Sequence, residues 1–215
     1  MRRLFSGGHR AGFSMIEIIV VIAIATILMG VVSVTLRRGR EEQAVRREAQ
    51  LLTLDIRKAQ ALAASSAEIQ GVVPFGYGVV VSDDPGGGAN TQTTLFADLD
   101  NDMTYSETAG EFVDSRTFRS EVRAQNAQIF ECSMPLCDLG SPPSTITNAD
   151  TLTFFFCPPN PNTFLYDETT GIGSRGSNCK TAGSTVLPAV RISLVRGAAS
   201  RTVLVNAVGA VFIEE

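Results

Sequence analysis

The sequence predicts an α+β protein: one long N-terminal helix, membrane-spanning then amphipathic, packed on an antiparallel β-sheet domain. Three observations carry this. Residues 13–36 place 18 apolar side chains in 24 positions, with Glu17 the only charge. Apolar residues then recur at helical spacing, and no proline occurs before Pro74. From residue 71, β-branched and aromatic runs are separated by Pro/Gly/Asn-rich turns with no helical pattern between them. At 215 residues and 44% hydrophobic, the chain has the length and composition for one cored domain with an appendage. The organisation read from these shifts is 1–12 a basic leader, 13–36 a membrane span, 37–66 an amphipathic helix and 67–215 an exported β-rich domain.

The leader carries Arg2, Arg3 and Arg10 and the chain's one histidine, His9. A secretory signal places its small-residue cleavage site after the apolar core. Here Ala11-Gly12 precedes it, so cutting there removes the leader and leaves the membrane helix attached. The mature chain then has no histidine. That excludes serine–histidine and cysteine–histidine nucleophiles and histidine metal sites. No carboxylate pair is marked as an acid/base couple, and no catalysis is expected.

As a helix, residues 13–36 reach roughly 36 Å, enough for a hydrocarbon core of about 30 Å. Arginines flank the span on both sides, with Arg37, Arg38 and Arg40 beyond it, so the positive-inside rule is nearly a tie. Four cysteines in a Pro/Gly-rich domain break the tie toward an oxidising compartment outside the cytosol.

A carboxylate at the centre of a bilayer helix costs on the order of 2.5–3.5 kcal/mol. Glu17 therefore needs a partner. One reading is a capping box, Ser14-x-x-Glu17. The other pairs Glu17 with the α-amine created by cleavage before Phe13, on a neighbouring subunit, where a low dielectric strengthens the attraction. Such a pair sets axial register, as one buried polar residue does in a coiled coil.

Gly12-Phe13-Ser14-Met15-Ile16-Glu17 followed by the apolar run resembles the processing site of type IV pilins and type II secretion pseudopilins. The resemblance implies cleavage by a prepilin peptidase after Gly12, N-methylation of Phe13, and Glu17 as the assembly residue. It implies a bacterial inner-membrane, single-pass protein with its C-terminal domain in the periplasm or on the pilus surface. Its partners would be other pilins or pseudopilins, the peptidase and the inner-membrane assembly platform.

The apolar stripe of the amphipathic part comprises Val45, Leu52 and Ala59 with Ala49, Ile56 and Ala63. Arg46, Arg47, Glu48, Asp55, Arg57 and Lys58 are assigned to its polar surface. The helix is expected from about 14 to about 66, a rod of roughly 80 Å, with Gly30 and Gly39 its weak points.

Strands are expected within 71–81, 93–98, 111–118, 127–131, 151–156, 185–195 and 201–215. Loops are expected at 83–90, 133–150 and 158–183, and the last hairpin turns at Arg196–Ser200. Cys132, Cys137, Cys157 and Cys179 allow three disulfide connectivities. Cys132–Cys137 with Cys157–Cys179 is favoured, because the second closes a long loop that would otherwise be costly to order. No C-x-x-C pair points to zinc.

Asp98, Asp100 and Asp102 alternate and are followed by Thr104 and Ser106, like the start of a calcium loop. Met103 stands where that loop needs glycine, position twelve is Ala109, and Glu111 falls two residues late. A solvated acidic turn is the competing reading, and otherwise no cofactor is expected. The stretch LFADLDNDMTYSETAGEF, with Tyr77-Gly78-Val79 upstream and the C-terminal hairpin, resembles H-type minor pseudopilins and FimT-type minor pilins.

The function implied is a minor pilin or pseudopilin, built into a type II secretion pseudopilus or a type IV pilus. Two alternatives compete. A DNA-binding minor pilin would use Arg191, Arg196 and Arg201 on phosphates. Residues 67–215 hold 17 acidic and 8 basic side chains, net −9, and such a field repels nucleic acid. A single-pass membrane protein that never polymerises would keep its N-terminus and tolerate Glu17→Ala.

Overall fold

A computed structural model of the chain describes residues 14–84, 88–119, 121–133, 146–148, 151–158, 162–167, 186–206 and 209–214. The chain divides into two compact units, Met1–Arg40 and Glu41–Glu215. The division falls inside one helix, α1 (Met15–Ala64), two residues shorter at its C-terminus than expected.

In the first unit every residue from Ser14 to Arg40 is exposed. The Ser14 carbonyl accepts the first helical bonds, from the N–H groups of Glu17 and Ile18. The hydroxyls of Thr26, Ser33 and Thr35 donate to the carbonyls of Ala23, Met29 and Val31 on the preceding turn. These polar side chains are thus satisfied within the helix, which lowers their cost in an apolar medium.

In the second unit all six stripe residues, Val45, Ala49, Leu52, Ile56, Ala59 and Ala63, are fully buried. Glu48, assigned above to the polar surface, is buried too, at 1% exposure. Its place on the helix is one position before Ala49, and an arginine from the sheet meets it there. The helix ends in a Schellman arrangement: the Ala67 N–H donates to the Leu62 carbonyl and the Ser66 N–H to Ala63. Ser66 takes the left-handed conformation (φ 48) that glycine usually supplies.

The strands form two antiparallel sheets. The first has β1 (Gly76–Asp84), β2 (Gly88–Asp98), β3 (Phe112–Thr117), β6 (Leu152–Cys157) and β7 (Asn162–Asp167), in the order β3-β2-β1-β6-β7. The second has β4 (Arg123–Ser133), β5 (Ile146–Asn148), β8 (Val186–Arg196), β9 (Ala199–Val205) and β10 (Val211–Glu214), in the order β10-β9-β8-β4-β5. Every strand pair is antiparallel, as expected.

Five local expectations change. Residues 71–75 are not strand: Gln70 and Gly71 both have positive φ, and Pro74 lacks a donor. The start of β2 and all of β5 and β7 lie in segments expected to be loops. Tertiary pairing overrides composition there; β7 pairs with β6 over six residues, Leu152↔Asp167 to Cys157↔Asn162. The run 201–215 breaks into β9 and β10 because Gly209 (φ 77) turns the chain, its N–H donating to the Asn206 carbonyl. The hairpin between β8 and β9 turns where predicted, with Gly197 at φ 57.

The main core joins the buried face of α1 to both sheets, with Tyr77, Val79 and Val81 of β1 beside Phe154 and Phe156 of β6. The opposite face of the first sheet carries a second apolar layer of Val80, Phe96, Met103, Phe155, Cys157, Phe164 and Tyr166. Both faces of β6 are therefore buried, which explains its continuous apolar run. Gly76 and Gly78 make room for it: a Cβ at Gly76 would overlap the Phe155 ring, and one at Gly78 the Phe96 ring.

Candidate functional site

Glu17 sits in the first turn of α1, on the part of the helix, up to Arg40, whose apolar side chains are all open to the surroundings. Ile16 is 70% exposed, Ile24 54% and Ile27 68%. A contiguous apolar surface of this length needs lipid or other apolar helices around it. Among the described residues, α1 is the one helix long and apolar enough to cross a membrane. Gly12 and Phe13, the expected processing pair, lie outside the described residues.

The acidic loop joins β2 to β3. Carboxylate oxygens of Asp98, Asp100, Asp102 and Glu111 lie within 4.8 Å of one another. Asp98 and Glu111 are fully buried. Asp98 accepts from the N–H groups of Asn101 (2.6 Å) and Met103 (3.1 Å). Glu111 accepts from Leu99 (3.0 Å) and Ser106 (2.8 Å). Asp102 accepts from both the N–H and the hydroxyl of Thr104. Burial pushes Asp98 up to about 6, with the charges of Glu111 and Asp100 adding and the two N–H bonds opposing. Burial likewise raises Glu111, and Asp100 and Asp102 add to it.

The three aspartates singled out in the sequence are therefore brought together, and the fold adds Glu111. Counting along a fixed template misses it, because the loop turns through Gly110 (φ 77) before Glu111 comes back beside Ala97. Met103, at the glycine position of that template, adopts the left-handed backbone a glycine would (φ 63). Its side chain is fully buried in the second apolar layer, near Tyr105, whose ring lies 5.9 Å from that of Phe96. The carboxylates thus clamp a strained turn that plugs a methionine onto the sheet. The donor set is all oxygen, the kind that calcium takes and zinc does not.

Arg191 of β8 lies 3.7 Å from Glu214 of β10, and Arg201 of β9 lies 2.9 Å from Glu42 of α1. Two of the three arginines considered for phosphate contact therefore already face carboxylates. Arg196 is half-buried at the hairpin turn. Cys157 is disulfide-bonded. The pairings Cys132–Cys137 and Cys157–Cys179 lie outside the described residues.

The exposed apolar helix and the sheeted unit define the class: a helix-plus-antiparallel-sheet protein whose first helix points to membrane anchoring. Residues 8–33 match the family model of the prokaryotic N-terminal methylation motif. The N-terminus is thus of the type IV prepilin kind, a motif of structural pilin-type proteins rather than of enzymes. No curated protein and no solved structure matches the chain.

Proposed function

We propose that this chain is a minor pilin or pseudopilin subunit, cut after Gly12, methylated on Phe13, and assembled through its N-terminal helix into a type II secretion pseudopilus or a type IV pilus. The carrying observation is the coincidence of the methylation motif with a helix exposed throughout residues 14–40, bearing one carboxylate in its first turn. In this reading Glu17 neutralises the new α-amine of an adjacent subunit, and the span moves from lipid into a bundle of like helices. The exported unit supplies surface, held in the periplasm or on the filament.

Intact-mass measurement of the mature protein tests the processing step. Loss of residues 1–12 with one added methyl is expected. Retention of those residues, or undiminished filament incorporation of Glu17→Ala, overturns the proposal. Counting subunits per filament tests the minor position.

A further inference from the structure

The charge of the chain is sharply divided. Residues 59–115 hold nine acidic side chains and not one lysine or arginine. Residues 37–47 hold five arginines against Glu41 and Glu42, and Glu42 is already engaged by Arg201.

Much of the acidic stretch gathers at one end of the first sheet. There the C-terminus of α1, with no basic residue in its last turn, leads into Val72–Phe75, and β2 gives way to the acidic loop. The Phe75 N–H donates to the Asp98 carbonyl, so the two segments are joined. Val72 is 55% and Val73 50% exposed, and Glu68, Asp100 and Glu107 are exposed around this end. The negative pole of the helix dipole points the same way. This is an apolar ledge with an electronegative rim.

We infer that this end of the exported unit receives the arginine-bearing segment of a second copy's helix, residues 31–47. That segment matches the ledge with exposed Val31, Val32 and Leu36 and complements its rim with exposed Arg38, Arg40, Arg46 and Arg47. Apolar contact would give the affinity, and complementary charge would set register and steer the approach. The contact rests on the assembly reading above but is not part of it, since the apolar spans can bundle without it. Arginines just beyond a membrane span also suit anionic phospholipid; the acid-only composition of residues 59–115 favours the protein partner.

The test uses the full-length chain in cells that assemble the filament, as two differently tagged copies. A benzoylphenylalanine photocrosslinker replaces Val73 in one copy and, separately, Ile24 in the apolar span. From position 73, adducts to residues 31–47 of the other copy are expected. They should be lost in Glu68→Lys/Glu107→Lys and recovered when Arg38→Glu/Arg40→Glu is added. Crosslinks from 73 to phospholipid or to other proteins, or no rescue by the second pair, overturn the inference. If crosslinks from 24 form and those from 73 do not, the docking contact is wrong and helix assembly stands. If neither forms, both fall.

Discussion

The guanidinium of Arg116 on β3 donates to the buried carboxylate of Glu48 on α1 at 2.5 Å. The same guanidinium holds Asp55 about two turns further along, at 2.8 and 3.1 Å, and stacks 5.4 Å from the Phe118 ring centroid. The Thr93 hydroxyl also donates to Asp55. One arginine thus ties two helical turns to the edge of the first sheet. Removing it leaves a carboxylate in the core without its cation. Arg116→Met is expected to cost about 3 kcal/mol, and Glu48→Leu in that background to recover part of the loss. Denaturant melts of the two variants check this; equal stability of Arg116→Met and wild type would contradict it.

Gly78 is expected to be intolerant of any side chain. A Cβ there would overlap the Phe96 ring and come 3.1 Å from Phe155. Both rings are fully buried, so neither has room to swing away. Gly78→Ala should destabilise by about 1–3 kcal/mol. Gly76→Ala should be at least as severe, because a Cβ would also come 2.9 Å from the backbone oxygen of Phe156. Thermal melting of both variants is the measurement.

Ser66 offers a change in the other direction. It holds a left-handed backbone at the helix end (φ 48), where a Cβ costs roughly 1 kcal/mol and glycine is free of that cost. Ser66→Gly is expected to raise the melting temperature. Tyr77→Phe, by contrast, removes the hydroxyl that donates to the Ala67 carbonyl at 2.6 Å and should lower stability by about 1 kcal/mol.

The acidic loop makes stability depend on pH. Asp98 and Glu111 both have folded-state values raised by burial, Asp98 to about 6. The folded state therefore favours their protonated forms. That contribution is complete below the ordinary carboxylate range, near pH 4, and is lost as pH rises through about 6. The melting temperature near pH 5 should exceed that near pH 7.5, and the difference should shrink in Asp98→Asn. Calcium separates the two readings of the cluster at about pH 7.5. An ion site predicts a rise in melting temperature on adding the cation, absent in Glu111→Gln. No rise identifies a clamp made by N–H groups alone.

What the sequence determined by itself was everything with a local period or a local motif. The apolar span, the six-residue stripe from Val45 to Ala63 and the methylation motif are each written in consecutive residues, and burial or family match agrees with them. The antiparallel sheet was legible because β-branched runs met turns without intervening helices. What only the tertiary structure decided were the places where distant residues meet. Glu48 looks like any charged helix residue until Arg116 arrives from β3. Glu111 falls out of step with the aspartates until the loop doubles back. Asn162–Asp167 reads as part of a proline-rich loop until β6 offers it a partner strand. In each case the deciding energy, desolvation of a charge or pairing of backbone groups, depends on neighbours that chain order does not specify.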